Sequence, residues 1–271
     1  MNQIAITNHR HLLAILGLKQ HELDELITYI PRLYTPYIKK EIKKDGKIKE
    51  REICPSIGKL KIIQDRIKNR ILDRHPLPDY IQGGRKGKDS ISNAVEHRGK
   101  HFRFCLDLKN FFPSVKNARV NKVLLKLGYK PDIALIITKL ITFGNKVPQG
   151  APTSTSITNL VFYVEVDTKI EKLINGKGIT YTRYVDDLNF SSQQDFKAIS
   201  LKIVKIISDA NFKLSRNKTF YKIGKVDITG VEVKQNILKP TVKLKEKLNE
   251  VDRSEPSKAG IQNHIKRIKA A

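Results

Sequence analysis

Two aspartates stand side by side in Tyr184-Val185-Asp186-Asp187-Leu188-Asn189-Phe190, between apolar and aromatic runs that read as the arms of a β-hairpin. Aspartate is a poor strand residue, and adjacent carboxylates repel one another. Acids are common in turns, so the pair alone would mark only a solvated loop. Asp107 changes that reading. It ends a second apolar run, Phe102-Arg103-Phe104-Cys105-Leu106-Asp107, close to Phe111 and Phe112. An acid on a buried strand is costly unless it is paired, here with Lys109 or Arg103, or bound to a metal. If the two strands are neighbours in one sheet, Asp107 converges with Asp186. Three carboxylates in basic surroundings suit Mg²⁺, which takes oxygen ligands and favours one or two carboxylates plus substrate phosphates. Two such ions, roughly 3.5–4 Å apart, activate an attacking hydroxyl and stabilise a leaving oxygen in phosphoryl transfer.

Two further stretches carry groups for a nucleotide. In Val147-Pro148-Gln149-Gly150-Ala151-Pro152 the prolines fix a turn, and the Ser/Thr run from Thr153 offers N-caps to the helix that follows. Gly150 permits close backbone approach, with Gln149 projecting toward a nucleotide or template. Asp45-Gly46 is a two-residue turn signal flanked by Lys43, Lys44, Lys47, Lys49 and Arg51. Such a basic hairpin suits a triphosphate, with Lys as a point charge and Arg as a bidentate fork.

The elements that must position these residues follow from periodicity. Residues 7–30 read as one helix ending near Pro31, and 58–73 as another with Leu60, Ile63, Ile67 and Ile71 on one face. A Pro- and Gly-rich loop leads to a short helix over 90–98 and to the strand 102–108. Helices follow from about Asn117, over 132–143, and from the Ser/Thr run to about Leu173. After the Asp186–Asp187 hairpin come a helix over 196–210, short strands within 212–233 and a basic C-terminal segment. Strands far apart in sequence among helices imply an α+β sheet with helices packed on it.

The 52 Lys and Arg against 27 Asp and Glu give a formal charge of +25, spread along all 271 residues, which makes nucleic acid the first partner to expect. No apolar run approaches the roughly 20 residues that span a bilayer, so a membrane is not an expected partner. His11-Leu-Leu-Ala-Ile-Leu-Gly-Leu18 reads as an amphipathic helix and not as a signal peptide. Cys54 and Cys105 lack metal-ligand spacing and suit a reducing, cytoplasmic setting.

The order Leu106-Asp107-Leu108-Lys109-Asn110-Phe111-Phe112, Val147-Pro148-Gln149-Gly150, Tyr184-Val185-Asp186-Asp187 resembles the palm motifs of reverse transcriptases, over about residues 35–235. Asn93-Ala94-Val95-Glu96-His97 and Ile228-Thr229-Gly230 resemble two elements of the bacterial retron enzymes. The chain has Tyr-Val-Asp-Asp where retrons more usually have Tyr-Ala-Asp-Asp, and Ile228 where they have Val. The resemblance implies a right-hand polymerase fold: an N-terminal helical segment (1–35), fingers (36–100 and 116–150), a palm of antiparallel sheet plus helices (101–115 and 151–235) and a short helical thumb (236–271), broken near Ser254–Pro256.

It also implies roles. Asp107, Asp186 and Asp187 are the expected catalytic residues, with the Leu108 carbonyl as a further ligand of two Mg²⁺ ions. Phe112 is the expected steric gate against a 2′-OH, selecting dNTPs. Gln149 contacts nucleotide and template, Arg51 with Lys43 or Lys44 holds the triphosphate, and Lys218 lies near the leaving pyrophosphate. Asn93, His97, Thr229 and Gly230 are expected to recognise RNA. The implied function is RNA-directed DNA synthesis on a dedicated structured non-coding RNA, template and primer in one. Extension starts from a 2′-OH and leaves a short single-stranded DNA joined to the RNA. The RNA–DNA product and a separate effector protein would then act in anti-phage defence. Alternatives are another defence-associated or abortive-infection reverse transcriptase, an RNA-dependent RNA polymerase, which Phe112 disfavours, and an RNA-binding scaffold with a vestigial polymerase site.

Overall fold

The computed structural model describes residues 6, 8–42, 46, 48–250 and 254–271. They form two compact units, one made of the chain up to Leu77 with Asn110–Glu165, the other of Pro78–Lys109 with Val166–Ala271.

In the first unit the single helix expected over 7–30 is two, His9–Leu16 and Gln20–Tyr29. Asn8 caps the first, accepting from the His11 N–H at 2.9 Å. Gly17 ends it at φ 62, the left-handed conformation that glycine adopts at helix C-termini without a Cβ penalty. The basic stretch forms the expected hairpin, β1 (Tyr37–Ile42) against β2 (Ile48–Ile53), in register from Tyr37↔Ile53 to Ile42↔Ile48. The helix Gly58–Arg70 buries Leu60, Ile63 and Ile67, while Ile71 and Leu72 complete the buried face from the turn beyond it. Gln64 is wholly buried on this helix. Its amide donates to the Tyr34 hydroxyl at 2.7 Å and the Leu140 carbonyl at 2.8 Å, and accepts from Ser56 Oγ at 2.6 Å. That satisfaction is what makes a buried amide tolerable.

Helices Asn117–Lys126, Pro131–Ile141 and Ser154–Phe162 complete this unit. The expected Ser/Thr N-cap is not formed: Thr153 makes no side-chain cap. The hydroxyls serve the interior instead. Ser154 donates to the Pro148 carbonyl at 2.6 Å and Thr158 to the Ser154 carbonyl at 2.8 Å. The chain leaves the unit through a π-helical turn, Tyr163–Asp167, and continues as the helix Thr168–Ile174. The long helix expected to about Leu173 is thus present with a π interruption, a feature common near functional sites.

The second unit holds two antiparallel sheets. One has four strands, β3 (Phe102–Asp107), β4 (Thr180–Tyr184), β5 (Asp187–Ser192) and β6 (Phe220–Ile223), in the order β4-β5-β3-β6. The other is β7 (Val226–Ile228), β8 (Val231–Lys234) and β9 (Ile237–Pro240), in sequence order. The helix Lys197–Asp209 follows β5 and buries Ser200, Ile203 and Ile207. The C-terminal helices are Val242–Leu248 and Glu255–Ala270. Ile268 is fully buried in a cluster with Ile91, Ala94, Val226, Ile228, Val231, Val233 and Leu238. Burial of one such side chain contributes about 1.5–3 kcal/mol. Arg267 bonds Asp89 at 2.5 Å. Cys54 in the first unit and Cys105 in the second are buried free thiols. Among the described residues no helix is long and apolar enough to cross a membrane.

Candidate active site

The second unit assembles the acidic site. β3 and β5 run antiparallel with Asp107 directly opposite Asp187. β4 and β5 form the hairpin, closed by the pair Tyr184↔Asp187, so Val185 and Asp186 are its two loop residues. Asp186 is fixed to the end of β3 by its carbonyl, which accepts the Leu108 N–H at 2.9 Å. One strand register therefore brings the two sequence motifs together, Asp107 against Asp187 with Asp186 on the adjoining loop.

Lys218 joins them from a third segment. Leu108 bridges Leu214, and the Ser215 N–H donates to the Asp107 carbonyl at 2.8 Å. The 3-10 turn Arg216–Lys218 follows and delivers the ammonium of Lys218 onto the carboxylate of Asp107. Asp107 therefore pairs with neither Lys109 nor Arg103. Arg103 instead donates to the carbonyls of Gly224, His97 and Lys100, at 2.8, 2.9 and 3.0 Å.

Burial pushes the Asp187 carboxyl up to about 7, and the negative charges of Asp186 and Asp107 add to the effect against the pull of Lys218. Burial works against the Lys218 ammonium, but the hydrogen bond to Asp107 and the charges of Asp107, Asp187 and Asp186 outweigh it and raise its pKa. The cluster thus carries more negative charge than Lys218 neutralises. A hard divalent cation fits that excess and the all-oxygen donor set. Among the described residues no group of three or more acidic, histidine or cysteine side chains is arranged to hold a metal ion. The carboxylates nearest to offering such a site are Asp107 and Asp187, paired across the strands, with Asp186 on the adjoining loop and the buried Leu108 next to Asp107 in the chain.

The other expected nucleotide contacts belong to the first unit. Phe112 is half-buried in the short helix Phe111–Ser114, its ring centroid 5.8 Å from that of Phe111. Gln149 is half-buried, and its carbonyl accepts the Cys54 N–H at 2.7 Å, tying the loop to the end of β2. Gly150 has φ 108, and a Cβ there would lie 2.9 Å from Ile53 Cγ2. Arg51 lies on β2, 3.5 Å from Glu41 and 38% exposed. Lys43 and Lys44 lie outside the described residues.

Two of the four residues expected to recognise RNA lie in the interior of the second unit. His97 is wholly buried, its ring 2.7 Å from both Ser191 Oγ and Thr182 Oγ1. Asn93 is also wholly buried, and its amide donates to Thr229 Oγ1 at 2.9 Å. Both side chains bond within the unit, with no exposed surface in this conformation. Thr229 and Gly230 form the turn between β7 and β8, with Thr229 half-buried and Gly230 exposed. Asn93 and Thr229 nonetheless connect the two retron-like elements physically.

Arg183 is a site residue that the motifs do not flag. It is wholly buried one residue before the Tyr184-Val185-Asp186-Asp187 motif, paired with buried Asp167 at 2.8 Å. Its signal in the sequence is a charged residue between the aromatic and β-branched residues of a strand, which demands a partner where it is buried.

Residues 42–233 match the family described as reverse transcriptase (RNA-dependent DNA polymerase), and the chain belongs to that family. Curated proteins that it resembles include bacterial retron reverse transcriptases. It is 32% identical over 241 residues to the retron Se72 reverse transcriptase of Salmonella heidelberg (strain 579083-10), covering 85% of this chain and 62% of that protein. To the retron Ec86 reverse transcriptase of Escherichia coli it is 32% identical over 191 residues, covering 69% of this chain and 58% of that one. The chain thus spans about three fifths of the length of these relatives. Among solved structures, telomerase from Candida albicans superposes with a TM-score of 0.53 at 13% identity, over 79% of this chain and 48% of that one. Apo telomerase from Candida tropicalis gives 0.51 at 13% identity, over 81% and 59%. At that identity the likeness establishes the right-hand polymerase fold alone.

Proposed function

We propose that this chain is an RNA-directed DNA polymerase of the retron type. The observation that carries the reading is the register that sets Asp107 opposite Asp187, with Asp186 on the adjoining loop. A scaffold would gain nothing from burying Asp187, whose carboxyl is pushed up to about 7 by burial, with the charges of Asp186 and Asp107 adding to the effect.

In this reading Asp107, Asp186, Asp187 and the Leu108 carbonyl would hold two Mg²⁺ ions. Such ions, when bound, activate the attacking hydroxyl and stabilise the leaving oxygen. The remaining roles fall to the chain. Lys218, fixed on Asp107, places positive charge where pyrophosphate leaves. Phe112 closes the space that a ribose 2′-OH needs. Gln149 orients nucleotide and template, while Arg51 with Lys43 or Lys44 grips the triphosphate. Fingers (36–100, 116–150), palm (101–115, 151–235) and thumb (236–271) follow the functional division of such enzymes, with 1–35 as an N-terminal helical segment.

The template and primer are one structured non-coding RNA, extended from a 2′-OH into single-stranded DNA. Thr229 and Gly230 face that RNA, and Asn93 braces their turn from behind. The product acts in the cytoplasm with a separate effector protein in anti-phage defence. The charge of +25 supports an RNA partner. The test is incorporation of labelled dNTPs on a primed RNA template with Mg²⁺, by the wild type and by Asp186→Asn. No incorporation by the wild type, or equal incorporation by both, would overturn the reading.

A further inference from the structure

The loop that carries Asp186 is strained. Val185 has φ 59, and Asp186 does not share the positive φ. This is the pattern of a type II′ hairpin turn, whose first loop position normally takes glycine. A β-branched residue there is disfavoured and persists only where its surroundings over-determine it. Rotating the single peptide between Val185 and Asp186 would convert the turn to its I′ relative and swing Asp186 with it.

The contacts that oppose that rotation centre on Arg183. Its Nη1 donates to the Val185 carbonyl, the oxygen of the peptide in question, at 3.2 Å. Its Nη2 and Nε are held by Asp167 Oδ2, at 2.8 and 3.0 Å. The Tyr181 hydroxyl donates to Asp167 Oδ1 at 2.7 Å. Arg183, Asp167 and Tyr181 are all buried. The backbone of Arg183 is gripped as well: its carbonyl accepts from Gln82 and Gly83, and its N–H donates to the Tyr80 carbonyl at 2.8 Å. Gly83 lies so close that a Cβ there would sit 2.4 Å from the Val185 nitrogen. Beyond the loop, Leu108 holds the Asp186 carbonyl.

We propose that Arg183 is a positioning residue for the metal site: braced by Asp167 and Tyr181, it locks the Val185–Asp186 peptide in one orientation and so fixes the Asp186 carboxylate for divalent-cation binding. This rests on the polymerase reading for the identity of the cation, but its test does not need turnover. A buried pair of this kind does not itself stabilise much, since apolar replacements of equal volume are often neutral. Its value lies in geometry, because a guanidinium spans Asp167 and the loop carbonyl at once and an ammonium cannot.

The experiment measures Mn²⁺ affinity by electron paramagnetic resonance on the free protein, with thermal melting and primer–template affinity alongside. Arg183→Lys keeps the charge and loses the second contact. Tyr181→Phe/Asp167→Leu/Arg183→Met removes the whole bracket and leaves no buried side-chain charge or hydroxyl of it unpaired, only the half-buried Val185 carbonyl without its donor. Both are expected to melt cooperatively and bind primer–template within threefold of wild type, with Mn²⁺ dissociation constants raised tenfold or more. In synthesis assays the Mg²⁺ requirement should rise with it. A folded variant with Mn²⁺ affinity within twofold of wild type overturns the proposal. So does loss of cooperative melting in both, which would make the bracket a folding element. Absence of DNA synthesis by the wild type would sink the polymerase reading while leaving the Mn²⁺ result to stand or fall alone.

Discussion

Asp107 and Asp187 face each other across neighbouring antiparallel strands, although a long stretch of chain with several helices separates them in sequence. A single-residue slip of β5 against β3 would turn Asp187 to the other face of the sheet. The buried pattern on both strands prevents it: Leu106 opposite Leu188 and Phe104 opposite Phe190 are interior pairs.

Asp186→Asn is expected to lower DNA synthesis by more than about 100-fold, since even the outer partners of metal ligands are worth 10–100-fold. RNA affinity, measured by filter binding at fixed salt, should stay within about twofold, because phosphate contacts from Lys and Arg supply it. Synthesis near the wild-type rate would place the metal site elsewhere.

Phe112→Ala is expected to admit ribonucleotides, raising NTP relative to dNTP incorporation by on the order of tenfold, the effect of about 1.4 kcal/mol in discrimination. Single-nucleotide extension with each class on one primer–template gives the ratio. An unchanged ratio would remove Phe112 from the gate.

Thr229→Ala separates recognition from chemistry. Discrimination between the cognate structured RNA and an unrelated hairpin should fall, while extension of an ordinary annealed primer survives. Stability should fall by about 1–3 kcal/mol, since the buried Asn93 amide loses its acceptor. Equal loss on both substrates would assign the turn a purely structural role.

Acid stability should depend on His97. Burial, followed by the charges of Arg103 and Lys100, drops its pKa to about 3 from 6.5. Below 6.5 the unfolded chain takes up a proton that the native chain refuses until about 3, so this residue's contribution to stability falls as pH drops through that window. His97→Gln should flatten the decline relative to wild type in denaturant titrations at pH 7, 5 and 4. Parallel declines would mean that His97 is not the group responsible.

Much of the site was legible because its signals are local. Asp186 and Asp187 break a strand pattern, Asp107 ends another, and the charged, alternating flanks on either side of Asp45-Gly46 pair as β1 and β2. What stayed hidden depends on tertiary partners. His97 and Asn93 are polar and could equally face outward by sequence, and only packing against Thr182, Ser191 and Thr229 shows that they do not. Arg183 is legible as an oddity, but Asp167 becomes its partner only through the fold around a π turn that no periodicity announces. The break at Gly17 could have been read from glycine alone, but apolar residues continue at helical spacing on both sides of it.

The two buried thiols make the molecule its own reporter of local opening. Cys54 and Cys105 are the chain's two cysteines, one in each compact unit. Burial pushes the Cys105 thiol up to about 12 and raises that of Cys54 as well. The native protein should therefore resist a brief maleimide pulse, since the thiolate is the reacting species. As denaturant loosens the fold, mass spectrometry of the two tryptic peptides would time the exposure of each sulfur separately. Simultaneous labelling would mean that the units open as one, and staggered labelling would rank them, without any added probe.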